Sequence, residues 1–133
     1  MCASNDFSAC DIYDLIRDIK DPEFSQTLEE LKVLREDLIQ VSVYSDVLDI
    51  RITFVPTVPH CHLATLIGLC IRAKLERDLE HFTHKLYISI AEDSHTSAIE
   101  VTKQINDKER VAAALENPHL HATVQECIDF VND

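Results

Sequence analysis

The sequence predicts an α/β domain in which a small mixed three-stranded sheet is covered by about four helices. Three observations predict this class. Two segments with alternating apolar and polar residues lie close together in the chain and predict a hairpin. A long amphipathic segment separates them from a third strand. Capping patterns mark the starts of helices. The length of 133 residues fits one compact domain, which we place at residues 11–133 after a flexible N-terminal segment of residues 1–10.

The first predicted element is an amphipathic helix that runs to about Lys20 and stops before Asp21-Pro22. Thr27 and Glu30 then form a capping-box pattern, which predicts one short helical turn. The apolar residues that recur at helical spacing in the first element are Ile12, Leu15, Ile16 and Ile19.

Two strands follow and should pair as an antiparallel hairpin. The turn near Ser45-Asp46 has no glycine, which leaves its type open. Pro56 and Pro59 end the second strand. The alternating apolar residues of the two strands are Ile39, Val41 and Val43, then Leu48, Ile50, Ile52 and Phe54.

A crossover comes next, with a helix from His62 to about Glu80 and a third strand at residues 86–90. Such a connection should be right-handed, so the third strand should lie parallel to its partner. A further helix opens at the capping box of Ser97 and Glu100, places Val101, Ile105, Ala112 and Leu115 inward, and stops at Asn117-Pro118. The last helix carries the apolar residues Leu120, Val124, Cys127 and Ile128.

Three strands leave sheet edges with little cover, so we expect pairing or exchange of elements between two chains, as in a domain-swapped homodimer.

Composition excludes several functions. A single glycine cannot build the phosphate-binding or nucleophile-elbow turns of common nucleotide-binding proteins and esterases. The net charge of −12 argues against direct binding to nucleic acid. We therefore expect protein partners.

The cysteines and the N-terminus indicate the compartment. Five cysteines without a C-x-x-C pair favour reduced thiols over a disulfide framework. The first residues lack the basic start of a signal peptide, and no apolar run reaches membrane-spanning length. We expect a cytoplasmic protein that does not bind membranes, with the nucleus as a second location.

The candidate site is the segment of residues 56–62, where the second strand leads into the crossover helix and open α/β sheets bind ligands. A thiol near a helix start, between two imidazoles, can have a lowered pKa and act as a nucleophile or soft metal ligand. His60, Cys61 and His62 point in different directions, so a tetrahedral metal site would need help from His81, His84, His95 or a carboxylate. The alternative is that Cys61 is a small buried apolar residue and the histidines lie on the surface.

Other residues have two interpretations. Asp21 and Glu23 could bring carboxylates to the same face as Cys61. Alternatively, Asp21 is a turn residue and Glu23 an exposed charge. The Thr57 hydroxyl could likewise lie beside Cys61 or form a cap or turn. His119 and His121 should lie on the outer side of the last helix. Gly68, inside the crossover helix, should permit close packing.

The charged run Asn106, Asp107, Lys108, Glu109 and Arg110 precedes an apolar segment. It is either a solvated helix that enters the core or a surface for docking partners. Enzymatic catalysis has little support, because adjacent histidines do not ensure the geometry of a nucleophile and its base. We therefore expect a protein that is not an enzyme.

Three long motifs closely resemble the cytosolic iron-sulfur assembly component two family, with details typical of its A-type, Galla-like members. The YDLIR opening at residues 13–17 and Asp21-Pro22 match as well, so the similarity covers about residues 11–128. The pair Cys61-His62 departs from the Cys-Ser common in the family, which could tune the thiol differently. The three motifs are FVPTVPHC (54–61), ATLIGLC (64–70) and KQINDKERVAAALEN (103–117).

The resemblance implies an adaptor and transfer factor in the cytosolic complex that delivers iron-sulfur clusters to apoproteins. Its partners would be a WD40-propeller subunit, client apoproteins such as an iron regulatory protein and, for B-type members, a HEAT-repeat scaffold, with a link to chromosome segregation. The family's reactive cysteine maps to Cys61, with Asp21, Glu23 and Thr57 as its neighbours. Family structures include domain-swapped dimers and bound zinc. We expect a transient iron-sulfur cluster or zinc and no tightly bound cofactor. A purely structural adaptor and, with less support, a thiol-dependent enzyme using Cys61 are the alternatives.

Overall fold

The computed structural model describes residues 8–56, 61–91 and 98–129, and within them the α/β class predicted from the sequence is confirmed. These ranges contain five α-helices and three strands, where the sequence predicts about four helices. In chain order they are α1 (Ala9–Ile16), β1 (Ile39–Tyr44), β2 (Val47–Phe54), α2 (Cys61–Asp78), β3 (His84–Ile90), α3 (Ala98–Asn106), α4 (Lys108–Glu116) and α5 (Pro118–Ile128).

Helix α1 ends earlier than the sequence predicts. It begins at Ala9, so residues 9 and 10 of the segment predicted to be flexible are helical. It ends at Ile16 instead of about Lys20, because the backbone beyond it pairs elsewhere: Leu28 N–H donates to Ile19 O (2.8 Å) and Asp21 N–H to Gln26 O (3.0 Å). These bonds hold residues 19–28 in a tight loop.

The capping box at Thr27 is present. Thr27 N–H donates to Glu30 Oε1 (2.9 Å), and Glu30 N–H donates to the Thr27 hydroxyl oxygen (3.2 Å). Leu31 N–H donates to Thr27 O (3.1 Å), which closes the single predicted turn.

The sheet order is β1-β2-β3, as the hairpin and the crossover predict. Strands β1 and β2 are antiparallel from Ile39 opposite Ile52 to Tyr44 opposite Val47. Ser45 and Asp46 in the turn both have positive φ (48° and 67°), which is the signature of a type I′ turn and settles the type that the sequence left open. Strand β3 is parallel to β2.

One face of the sheet packs against α2 in the core, and α5 packs against α2. The other face is more open than the prediction of a covered sheet implies: the Arg51 guanidinium lies 5.8 Å from the ring centre of Tyr87, whose exposed fraction is 45%. The buried side chains of this core include Ile50, Ile52, Phe54, Ile88 and Ile90 from the sheet, Ile67, Cys70, Ile71 and Leu75 from α2, and Val124, Cys127 and Ile128 from α5.

The helix predicted to run from Ser97 to Asn117 is two helices. Asp107 interrupts it, because its carboxylate accepts bonds from Glu109 N–H (2.9 Å) and Arg110 N–H (3.3 Å) and so caps a new helix, α4. Ala112, predicted to point inward, is exposed, and Leu115 is partly buried against the core. Among the described residues, no helix combines the length and apolar character that crossing a membrane requires.

Candidate functional site

The proposed site lies at the carboxyl end of the two parallel strands, where Phe54 of β2 pairs with Ile90 of β3. Helix α2 begins at Cys61, so this cysteine occupies the first turn of the crossover helix as predicted. The first turn contains no acidic residue to offset the partial positive charge of its backbone N–H groups. A helix start of this kind favours the thiolate form of a cysteine.

Several predicted site residues fall in the gap that precedes α2. Thr57 and His60 lie outside the described residues, and so do the side chains of Cys61 and His62, whose backbone forms the first two positions of α2. Their predicted roles therefore stay predictions.

Asp21 is buried, with an exposed fraction of 0%. Its Oδ1 atom accepts bonds from Glu23 N–H (2.8 Å) and Phe24 N–H (3.0 Å), which is the turn role that the sequence allows. Its Oδ2 atom is also buried and has no hydrogen-bond partner within the described part of the chain. A buried carboxylate oxygen is costly unless a donor or a cation compensates it, so Oδ2 is a candidate for binding such a group.

Backbone hydrogen bonds connect the Asp21 loop to the end of β2. Leu28, which pairs with Ile19 beside this loop, also accepts a bond from Val33 N–H (2.9 Å). Val33 O in turn accepts from Val55 N–H (2.9 Å), directly after β2. The fold thus anchors the Asp21 loop to the strand end that leads into α2.

Glu23 does not share the burial of Asp21. Its side chain is exposed, and the contact that joins it to Asp21 comes from its backbone N–H. The structure therefore places one of the two predicted carboxylates in a buried position and the other on the surface.

The remaining histidines do not assemble a metal site in the described regions. His81, His119 and His121 are exposed. His84 begins β3, where its Nδ1 atom lies 2.8 Å from Phe82 O and its Nε2 atom 3.4 Å from a Glu76 carboxylate oxygen. Residues 8–56, 61–91 and 98–129 contain no group of three His, Cys, Asp or Glu side chains placed to hold a metal ion, and His95 lies outside these ranges.

The predicted docking run divides into one internal and four surface residues. Asn106 is partly buried, and its side-chain amide makes four hydrogen bonds. The Oδ1 atom accepts from Arg72 Nη2 (2.7 Å) and Ile88 N–H (2.9 Å). The Nδ2 atom donates to the carbonyls of Ile88 (2.6 Å) and Thr102 (2.7 Å). Residues 107–110 are exposed at the corner between α3 and α4. Asn106 therefore supports the corner, and the docking prediction narrows to residues 107–110.

A groove runs beside this corner between α2 and α4. Its lining mixes charged side chains, Arg72, Glu76 and Lys108, with the apolar side chains of Ala73, Val111, Ala112 and Leu115. The combination of an apolar floor and charges of both signs suits a protein segment as ligand.

Gly68 has the packing role that the sequence predicts, and its neighbour is α3. A Cβ atom added at Gly68 would lie 2.8 Å from both Cδ1 and Cγ2 of Ile105, whose side chain is buried. The glycine therefore sets the distance between the helix that begins at Cys61 and the helix that leads to the docking corner.

The core contains two cysteines, Cys70 on α2 and Cys127 on α5. Both side chains are buried, and the two helices pack against each other. Apolar periodicity identifies both as core positions.

Comparison with known proteins gives close relatives over most of the chain. The chain is 57% identical to the MIP18 family protein galla-1 of Drosophila melanogaster over 119 residues, which are 88% of this chain and 54% of that protein. It is 52% identical to Protein AE7 of Arabidopsis thaliana over 118 residues, 89% of this chain and 73% of that protein. It is 49% identical to the mouse cytosolic iron-sulfur assembly component 2B over 120 residues, 90% of this chain and 72% of that protein.

The chain thus spans about half of the length of galla-1 and about three quarters of the other two proteins. No family model matches the chain. The relatives confirm the family resemblance that the three long motifs predict.

Proposed function

The chain belongs to the MIP18 family, and we propose that it is a component of the cytosolic iron-sulfur protein assembly machinery, delivering clusters to target apoproteins. The observation that carries the proposal is the match, over nearly the whole chain, to a relative named as a cytosolic iron-sulfur assembly component. Its place of action would be the cytoplasm.

The chemistry of the site suits a carrier that releases its cargo. Proteins that retain an iron-sulfur cluster surround it with about four thiolates. A single thiolate from Cys61 at a helix start would supply one ligand and leave the other iron positions open for the client. The buried Oδ2 atom of Asp21 is free to accept a bond from a protonated group or a cation, as far as the described residues show.

The corner of residues 107–110, with the groove between α2 and α4, is the proposed docking surface. We assign to it the WD40-propeller subunit that the family resemblance implies. The net charge of −12 favours a partner with a basic surface, because complementary charge speeds encounter and selects partners. A HEAT-repeat scaffold, an iron regulatory protein as client and an effect on chromosome segregation are finer proposals that rest on the resemblance alone.

The main alternative is a purely structural adaptor in which Cys61 holds nothing. The buried Asp21 oxygen, which has no hydrogen-bond partner among the residues that the structure describes, favours the transfer factor, because a protein that only docks partners gains nothing from keeping that group out of water. A thiol-dependent enzyme would require turnover without any partner.

Complementation in cells depleted of the native protein separates the two adaptor hypotheses. The wild-type chain should restore activity to iron-sulfur clients, and Cys61→Ala should fail although it is expressed and folded. Cys10→Ala, at an exposed position of α1, is the matched control and should restore activity. Full restoration by Cys61→Ala would establish the structural adaptor.

The docking surface is tested by affinity capture followed by mass spectrometry. Reversal of the charges at Lys108, Glu109 and Arg110 should reduce recovery of the WD40 subunit, because these side chains are exposed at the corner. Reversal of Lys85, exposed on the open face of the sheet, is the control. Equal recovery with both variants would place the docking surface elsewhere.

A further inference from the structure

A cavity that the proposed function does not use lies between the open face of the sheet and helix α3. It has a volume of about 420 Å³. Helix α2, which begins at Cys61, packs on the opposite face of the sheet. The residues that carry the argument below are Thr53, Tyr87 and Ser89 from the strands and Ile99 and Lys103 from α3, all of which line the cavity.

Two exposed cations flank Tyr87 at this cavity. The Arg51 guanidinium lies 5.8 Å from the ring centre of Tyr87, and Lys103 lines the cavity from α3. Within the described ranges Lys103 makes no ion pair, and Arg51 makes one long pair, from Nε to Asp49 Oδ1 (3.7 Å). A contact of this length at the surface contributes little, so both cations are available to a ligand.

The described lining of the cavity contains no acidic side chain that would offset Lys103. The acidic residues of this region, Glu100 and Asp107, line a neighbouring cavity together with Arg110. The first cavity is therefore a positive site on a chain whose net charge is −12.

The rest of the lining provides a hydrogen-bond donor and an apolar surface. The Thr53 and Ser89 hydroxyl oxygens lie 3.0 Å apart, and their hydrogen bond uses one of the two O–H protons, which leaves the other for a ligand. Ile99, on the first turn of α3, has an exposed fraction of 70%, and Tyr87 has one of 45%. An apolar side chain packed between Ile99 and Tyr87 would remove apolar surface from water.

We propose that this cavity binds a short acidic segment of a partner protein, in which two carboxylates flank an apolar side chain. One carboxylate pairs with Lys103 and accepts the free proton of the hydroxyl pair, and the other pairs with Arg51. The apolar side chain packs between Ile99 and Tyr87. Alternate side chains of an extended segment point to the same side, so the recognised pattern is acid-x-apolar-x-acid. This recognition does not depend on iron-sulfur cluster delivery.

The charge of the whole chain makes this site selective. A net charge of −12 repels acidic ligands at a distance, so an acidic segment gains affinity only where local cations face it. Two cations can pair with two carboxylates. They are too few to hold a polyanion such as nucleic acid, which requires many phosphate contacts, or an anionic membrane, which requires a cluster of basic residues.

Isothermal titration calorimetry with three matched peptides tests the proposal on the full chain. The probe is GDSLSDG, acetylated and amidated so that its two aspartates are its only charges. GNSLSNG removes both charges, and GDSSSDG removes the apolar side chain. We expect GDSLSDG to bind about fivefold more tightly than either control, with an affinity that falls as salt is raised. Since the net charge of the chain favours the neutral peptide, a preference for GDSLSDG over GNSLSNG requires the local cations.

Variants at exposed positions locate the binding site without disturbing the core. Lys103→Glu and Arg51→Glu should each weaken the binding of GDSLSDG about fivefold or more. Lys32→Glu is the matched control, because it changes the net charge by the same amount at an exposed position outside the cavity lining, and it should leave the affinity nearly unchanged. Ile99→Ser should abolish the preference for GDSLSDG over GDSSSDG.

Several results would overturn the proposal. Among them are equal affinities for the three peptides, no binding of GDSLSDG, and equal weakening by Lys32→Glu and Lys103→Glu. Binding of single-stranded DNA or of phosphatidylserine vesicles in place of GDSLSDG, lost in Lys103→Glu, would assign the cavity to a different class of ligand.

Discussion

At the scale of single residues, Asp21 combines two roles that the sequence presents as alternatives. One carboxylate oxygen holds a turn through two backbone N–H groups, and the other is buried without a partner in the described regions. The pattern Asp-Pro predicts the turn, because aspartate accepts bonds from the backbone ahead of it. It does not predict the buried oxygen, since burial depends on how residues 19–28 pack against the rest of the chain.

The substitution Asp21→Asn separates the two roles. An asparagine keeps Oδ1 as an acceptor for Glu23 N–H and Phe24 N–H, but it removes the negative charge and replaces Oδ2 with a donor. We expect the free energy of unfolding to change by less than about 1 kcal/mol, because the turn bonds survive, while complementation of client activity is lost. Both are measured on the same variant, by denaturant unfolding and in depleted cells.

Asp18→Asn, at an exposed position just before the loop, is the matched control and should be neutral in both measurements. If Asp21→Asn restored client activity fully, the carboxylate would be a turn residue and nothing more.

At the scale of secondary-structure elements, the hairpin and the crossover were predictable because each depends on local pattern. Alternation identifies β1 and β2, and the connection rules then fix β3 as parallel. The break between α3 and α4 was not predicted, since apolar residues continue at helical spacing across it. The available signal was Asp107 itself. Aspartate is a weak helix former and a strong N-cap, so Asp107 ahead of Glu109 and Arg110 fits the start of a new helix as well as the interior of a continuous one.

The contact between α2 and α3 provides a prediction at this scale. Gly68→Ala should lower the free energy of unfolding by about 1–2 kcal/mol, because overpacking against Ile105 costs about 1–3 kcal/mol and the better helix propensity of alanine recovers only part of it. Denaturant unfolding measures the change.

The double variant Gly68→Ala with Ile105→Ala checks the cause. Removing the isoleucine makes room for the new methyl group, so the added cost of Gly68→Ala should disappear in this background. An increase in stability from Gly68→Ala in the otherwise wild-type chain would show that helix propensity outweighs the contact.

At the scale of the whole molecule, the two outer strands of the sheet differ in cover. On β3, side chains occupy the outward-facing backbone groups: Arg72 donates to Leu86 O, Asn106 bonds both N–H and C=O of Ile88, and Ile90 N–H donates to the Thr102 hydroxyl oxygen. On β1, Val43 and Tyr44 have exposed fractions of 52% and 63%. Exchange between chains, which stays a prediction, would thus involve β1 more readily than β3.

Asn106→Ala tests how much this cover contributes. The substitution removes four hydrogen bonds and leaves both polar groups of Ile88 without their partner, so we expect a loss of about 2–4 kcal/mol in the free energy of unfolding. Asn117→Ala is the matched control: it removes only the cap of α5 and should cost about 1 kcal/mol. Equal losses in the two variants would contradict the role assigned to Asn106.

The local features of the candidate site could be predicted from the sequence, but its long-range contacts could not. The position of Cys61 at a helix start follows from the pattern of strand, proline and helix, and the structure confirms it. The burial of one Asp21 oxygen involves residues far apart in the chain. No periodicity encodes such burial; it arises when the loop packs against the rest of the chain.

Cluster delivery by this protein can be measured as radioactive iron incorporated into an immunopurified cytosolic iron-sulfur protein, in cells depleted of this chain and then supplied with it. We predict that depletion lowers the incorporated iron while the amount of client polypeptide is unchanged, and that the wild-type chain restores it. Iron incorporation that is unaffected by depletion would contradict the assignment of this protein to iron-sulfur cluster delivery.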